Sequence, residues 1–227
     1  ELYVVNPNET KVQGIDSYKS IDALGQVDLA ILVIPAKYCL ETVSILCSVH
    51  QTKAFIIISA GFGEETEAGK LVEEQILKEI EKAGAVLIGP NCIGMITEDY
   101  KGVFTTPVPS FHRNGCDLIS SSGATAIFIM EAGIPLGLKF AHVFSVGNSI
   151  QIGVEDVLEY LDVTFDPTNS SKIKLLYIEN IQNPLKFFVH ASSLIRKGCK
   201  IAGIKAGTSE AGSRAASSHT GALATSD

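Results

Sequence analysis

The sequence lacks the pieces on which several large function classes depend. Its five cysteines, Cys39, Cys47, Cys92, Cys116 and Cys199, are scattered through mostly apolar runs, and none stands in a CxxC pair. That spacing argues against a zinc site or a disulfide framework and fits a reducing, cytoplasmic compartment. No apolar run approaches the ~18 residues that span a bilayer. No signal-peptide pattern opens the chain, which begins directly in an apolar strand. Positive charge is in deficit: 18 Lys and Arg against 25 Asp and Glu give a formal net charge of −7. Such a balance argues against a dominant nucleic-acid or anionic-membrane partner, since both attract basic surfaces. Long charge blocks and short internal repeats are missing too.

What is present is apolar mass in short pieces. Hydrophobic residues make up 46% of the 227, enough for a substantial core in one large domain or two ordinary ones. The apolar runs Leu2–Val5, Leu29–Ile34, Ala54–Ile58, Val86–Ile88, Leu118–Ser120, Phe140–Val146, Leu175–Ile178 and Ile201–Ile204 read as strands covered on both faces. Helical patterns lie between them. Residues 65–83 put Val72, Ile76, Ile80 and Ala83 on one stripe, with Glu64, Glu65 and Glu67 early and Lys78 and Lys82 late, as the helix dipole favours. Residues 37–50 repeat the pattern with Leu40, Val43, Leu46 and Cys47. This alternation predicts an α/β fold with mostly parallel sheets. The polar stretch from Glu98 to Gly115, with Pro107 and Pro109, shows no strong period. We read 98–112 as a linker between two α/β units, 1–97 and 113–227.

Ligands of open α/β sheets bind beyond the carboxyl ends of the strands. Those ends here are Ser59-Ala60-Gly61-Phe62-Gly63, Gly89-Pro90-Asn91-Cys92-Ile93-Gly94 and Ser120-Ser121-Ser122-Gly123-Ala124. Glycines, hydroxyls and helix N-terminal amides suit a phosphorylated ligand, although each turn taken alone is also ordinary βα punctuation. Glu179 ends the apolar strand Leu175–Ile178, where a carboxylate facing a crevice wants a partner such as a histidine; a solvated or capping Glu is the alternative. The tail after Lys205 is almost wholly Gly, Ala, Ser and Thr, interrupted by Arg214 and His219. It reads either as a flexible segment or as a close-approach loop carrying a nucleophilic histidine. His50, His112, His142 and His190 read as structural, and Cys92 as a small buried thiol.

Ser209-Glu-Ala-Gly-Ser-Arg-Ala-Ala-Ser-Ser-His219-Thr-Gly-Ala-Leu-Ala resembles the phosphohistidine loop of NDP-forming acyl-CoA synthetases, relatives of the succinyl-CoA synthetase α subunit. Further matches follow the family's order: Val5-Asn6-Pro7, Ile58-Ser59-Ala60-Gly61-Phe62, Gly89-Pro90-Asn91-Cys92, Ser120-Ser121-Ser122-Gly123-Ala124, Ser145-Val146-Gly147-Asn148 and Asp156-Val157-Leu158-Glu159-Tyr160-Leu161. The resemblance implies a Rossmann-like CoA-binding domain, lacking its opening strand and glycine-rich loop, followed by a flavodoxin-like domain. It implies that acyl-CoA, phosphate and NDP interconvert with a carboxylic acid, CoA and NTP through an acyl phosphate and a phosphohistidine. His219 would accept the phosphoryl group and Glu179 would orient it. Ser121, Ser122, Gly123, Gly147 and Asn148 would hold phosphate, and Pro35, Ala36, Ser59, Gly61 and Asn91 would line the CoA site. No resident metal is expected on this chain. ADP/ATP or GDP/GTP, with Mg2+, would be held by an ATP-grasp domain or β-type subunit, in an oligomer. The turn carries Ser at 121 where relatives often have Gln, and the neighbourhood of Ile150-Gln151 replaces the usual acidic residue after Asn148. A CoA- or acyl-CoA-sensing module of a protein acyltransferase is the alternative.

Overall fold

The structure is a computed structural model that describes residues 1–106 and 108–207. The opening strand β1 (Val4–Val5) stops after two residues. Asn6 Oδ1 accepts the backbone N–H groups of Asn8 and Glu9 at 2.9 and 3.1 Å and turns the chain there. β1 joins β2 (Lys11–Val12) and β3 (Ile15–Tyr18) in a small mixed sheet of order β1-β3-β2. The apolar run at Leu2–Val5 is therefore not a strand of the main parallel sheet, because the Asx turn diverts it.

The parallel sheet of the first half holds β4 (Leu29–Leu32), β5 (Ala54–Ile57) and β6 (Val86–Ile88), with α1 (Ala36–Ser48) and α2 (Glu67–Ala83) as crossovers. α2 begins where the Thr66 hydroxyl accepts the Gly69 N–H at 3.0 Å, and it ends at Gly84 with φ of 60°. The threonine cap contributes ~1 kcal/mol, and the left-handed glycine closes the last turn. The stripe expected from the sequence, Val72, Ile76, Ile80 and Ala83, packs with Phe55, Ile57, Phe62 and Leu87. Ile76 and Ile80 are wholly buried, worth about 1.5–3 kcal/mol each by area. A Cβ on Gly69 would meet the Phe62 carbonyl oxygen at 2.0 Å, so only glycine lets α2 lie against that turn.

The second half builds on a longer sheet. Its strands are β7 (Gly94–Ile96), β8 (Lys101–Val103), β9 (Phe111–Ser120), β10 (Phe140–Ser145), β11 (Ile173–Ile178) and β12 (Lys200–Lys205), in the order β12-β11-β9-β10-β7-β8. β9 to β12 run parallel, joined by α3 (Gly123–Gly133), α4 (Val154–Val163) and α5 (Pro184–Arg196). β7 and β8 add an antiparallel edge. Residues 98–112, read from the sequence as a linker, thus carry β8 and the start of β9. A three-residue edge strand such as Lys101-Gly102-Val103 is too short to show any apolar period, and the first residues of β9 are polar because they precede the buried part of the strand.

Candidate functional site

Three turns meet at the carboxyl edge of the first sheet. Pro35 occupies the start of α1 with no side-chain cap, so the first α1 amides are left to solvent or ligand. Gly61 has φ of 99°, and a Cβ there would stand 3.5 Å from Ala36 Cβ, so these two turns touch. The Asn91 N–H donates to Ser59 O at 2.9 Å, tying in the third turn, in which Gly89 and Asn91 both have positive φ. Pro35, Ala36, Ser59, Gly61 and Asn91 are thereby brought together, as a ligand site at this edge requires. The Gly61 and Phe62 N–H groups, however, already donate to Glu64 Oε1 at 2.7 and 3.2 Å. Cys92 is buried with its thiol on Ile57 O at 3.2 Å, and burial pushes its pKa up to about 11. It is no nucleophile at neutral pH.

A second group forms at the same edge of the longer sheet. The Ser122 hydroxyl caps α3 by accepting the Thr125 N–H at 3.2 Å, leaving the Gly123 and Ala124 amides as the donors of the helix start. Ser121 is buried, and its hydroxyl accepts the Glu179 N–H at 3.4 Å. Lys205 Nζ donates to Glu179 O at 3.0 Å. Glu179 and the Ser121–Gly123 turn therefore stand side by side. His219 and Arg214 lie outside the described residues.

The loop Ser145–Gln151 joins the two groups. Ser145 Oγ accepts the Ile93 N–H at 3.1 Å, and the Asn148 N–H donates to Pro90 O at 2.9 Å. Gly147 has φ of 58°, and a Cβ on it would meet Pro90 O at 2.1 Å. Asn148 Nδ2 donates to Glu64 Oε2 at 2.5 Å and Glu73 Oε1 at 2.6 Å, while its Oδ1 accepts from Asn91 Nδ2 at 3.3 Å. Both amide hydrogens and the backbone N–H of Asn148 are committed within the protein. These donors hold the loop against the first half.

Sequence reasoning passed over Glu73 and Glu155; it gave Glu64 only a helix-dipole role and noted Gln151 only as a departure from the family's acidic residue. Glu73 was visible in principle, since Gly69, Glu73, Ile76 and Ile80 form one buried helical stripe with a carboxylate on it. Buried Glu155 accepts the Gln182 and Asn183 N–H groups through Oε1 at 2.9 and 2.8 Å, pinning the loop that follows Glu179. The four histidines among the described residues each contact another part of the protein. His50 contacts Gly25 O at 2.8 Å, His190 contacts Asp162 at 2.9 Å, and Lys139 donates to His112 at 3.4 Å. His142 bonds Asp117 at 2.7 Å beside Lys174, lining a cavity of about 340 Å³. That cavity opens near the amino ends of β9, β10 and β11, away from the Ser121–Glu179 group. Among the described residues no cluster fit to hold a metal occurs, and no helix is long and apolar enough to cross a membrane.

Comparison with known proteins gives two family matches: a CoA binding domain over residues 1–98 and a succinyl-CoA ligase like flavodoxin domain over 113–227. The chain is 39% identical, over its full length, to the α subunit of acetate–CoA ligase [ADP-forming] II from Pyrococcus furiosus, and covers 48% of that protein. It is 35% identical to acetate–CoA ligase [ADP-forming] I from Archaeoglobus fulgidus, with 99% of this chain and 32% of that one covered. The solved structure of Ca. Korarchaeum cryptofilum dinucleotide forming acetyl-coenzyme A synthetase 1, in complex with phosphate and ADP, matches with a TM-score of 0.83. The identity there is 27%, over 98% of this chain and 47% of the other. The chain thus spans half or less of the length of these relatives. A CoA-binding half, a succinyl-CoA-ligase-like half and this edge-on meeting of their turns agree, and the chain belongs to the NDP-forming acyl-CoA synthetase family.

Proposed function

We propose that this chain is the CoA- and phosphate-handling part of an acyl-CoA synthetase that interconverts acyl-CoA, phosphate and NDP with a carboxylic acid, CoA and NTP. The observation that carries the reading is Glu179 beside the uncommitted amides of the α3 start, with the first half's turns tied to the same edge. Phosphate held by the Gly123 and Ala124 N–H groups sits at the positive end of a helix. Its oxygen attacks the thioester carbonyl; the C–S bond breaks, CoA leaves as thiolate and an acyl phosphate forms. A ring nitrogen of His219 then takes the phosphoryl group, the P–O bond to the acyl oxygen breaks, and the carboxylate leaves. The phosphohistidine passes its phosphoryl group to a nucleoside diphosphate. Glu179 would hold the imidazole in one tautomer, and the small residues around His219 suit a loop that travels between sites. Pro35, Ala36, Ser59 and Asn91 would contact CoA. An ATP-grasp domain or β-type subunit would hold nucleotide and Mg2+; two relatives being named as α subunits supports a partner subunit.

The test uses the full-length protein with its nucleotide-binding part and radiolabelled ATP. Acid-labile, base-stable label should appear, vanish in His219→Ala, and be discharged by CoA plus a carboxylic acid, acetate first. Glu179→Gln should slow labelling by about 10²-fold, the scale of a lost orienting contact. Wild-type protein that binds ATP yet takes no label would overturn the reading.

A further inference from the structure

The Asn148 side chain contacts three elements of the first half at once. Its Nδ2 hydrogens go to Glu64, in the turn after β5, and to Glu73, on α2; its Oδ1 takes the amide of Asn91, in the turn after β6. The same residue sits in the loop after β10, whose neighbour Val146 donates to Ser120 O at 2.9 Å, at the root of the α3 turn. Glu64 in turn accepts the Gly61 and Phe62 N–H groups. Hydrogen bonds thus run from the Gly61 turn through Glu64 to Asn148, and the two-residue backbone step from Asn148 to Val146 carries the link on to Ser120. Two carboxylates on one amide is an arrangement that only an NH2 group with both hydrogens aimed outward satisfies. An aspartate at 148 would place a third carboxylate there and supply no donor.

We propose that Asn148, with Glu64 and Glu73, is a positioning clamp that registers the CoA turns against the phosphate turn, and that it governs the acyl-transfer step between CoA and phosphate but not the phosphoryl-transfer step between His219 and nucleotide. The inference rests on the functional reading above. The physical basis is that only acyl transfer needs atoms held by both halves. An error of about 1 Å between reactants costs on the order of 10²-fold in rate.

The experiment separates the two steps in the full-length enzyme with its nucleotide-binding part. Labelling by radiolabelled ATP reports phosphoryl transfer; formation of acetyl-CoA and phosphate from acetyl phosphate plus CoA reports acyl transfer. Asn148→Ala should label within about threefold of wild type and form acetyl-CoA about 10²-fold more slowly. Asn148→Asp should do the same, and the exchanged pair Asn148→Asp with Glu73→Gln, which restores one donor facing one carboxylate, should recover acetyl-CoA formation about tenfold. Acetyl-CoA formation at the wild-type rate in Asn148→Ala would overturn the clamp. Equal slowing of both steps would also overturn it, by showing a general loss of structure. Wild-type enzyme that takes no label would instead remove the functional reading, and the clamp with it.

Discussion

Gln151 Oε1 accepts the backbone N–H of Leu87 at 2.7 Å, and the same side chain donates from Nε2 to Ala85 O at 3.3 Å. A side-chain amide from the second half therefore occupies the place of a neighbouring strand on the open edge of β6. An acidic residue at 151 would meet the Leu87 N–H but not the Ala85 carbonyl.

Gln151→Ala leaves the N–H of buried Leu87 unpaired, at a cost of about 1–3 kcal/mol. With ~2–4 °C per kcal/mol for a chain of this size, melting should fall by several degrees in a calorimeter. Gln151→Glu should be less stable than wild type at pH 8 and recover toward pH 5. A protonated carboxyl can donate to the Ala85 carbonyl while a carboxylate only faces it, so the stability is present when protonated and lost as pH rises.

Glu73 makes a second pH prediction. Burial raises its pKa from 4.5; hydrogen bonds from Asn148 and Gly63 pull it back, and the charge of Glu64 raises it again. A raised folded pKa means that the native state binds more protons than the unfolded chain above pH 4.5. The contribution is complete below that pH and fades as pH rises through the folded value. Glu73→Gln should therefore gain on wild type in urea midpoint between pH 5 and pH 7.5. A difference that stays flat across this range would contradict the assignment.

Asp162 titrates in the opposite sense. Burial alone would raise its pKa, but hydrogen bonds from Lys197, His190 and Ser193 outweigh it and hold the carboxyl below 3.8. Its stability is present above the unfolded pKa and lost as pH falls through the folded one. Asp162→Asn should lose roughly 1–2 kcal/mol at pH 7, the scale of charged hydrogen bonds partly open to solvent. That deficit should shrink on acidification, in denaturant melts run down to pH 3.

The thiols give a chemical check. Burial pushes Cys39, Cys92 and Cys116 up to about 11, so alkylation at pH 8 should spare all three in the native protein. Cys47, half-buried, should label first. Mass spectrometry after brief iodoacetamide treatment resolves the order; early loss of Cys92 would mean that the Gly89–Cys92 turn opens.

Much of this architecture was legible from apolar spacing. The Val72–Ile80 stripe, the runs that became β4, β5 and β6, and the glycine and serine turns all report local rules of periodicity and capping. What escaped was set by distant partners. β8 has no period because three residues on an antiparallel edge need none, and the first strand left the parallel sheet because Asn6 captured two amides. Glu73 broke the stripe without announcing Asn148 as the reason. The same holds for the Asn148 donors: the motif singled out the residue, while only the fold shows that Glu64 and Glu73 take its hydrogens.

The hairpin of β7 and β8 has a consequence for how the molecule divides. Its residues follow the first parallel sheet in sequence, yet they extend the edge of the second. Ending the first half after Ile93 would keep β4 to β6 whole, whereas ending it at 97 or 98 would carry off β7 as a stray strand and leave β10 paired on one side only. The natural seam is the short passage from Gly89 to Ile93, so an exchange of halves between relatives should be spliced there.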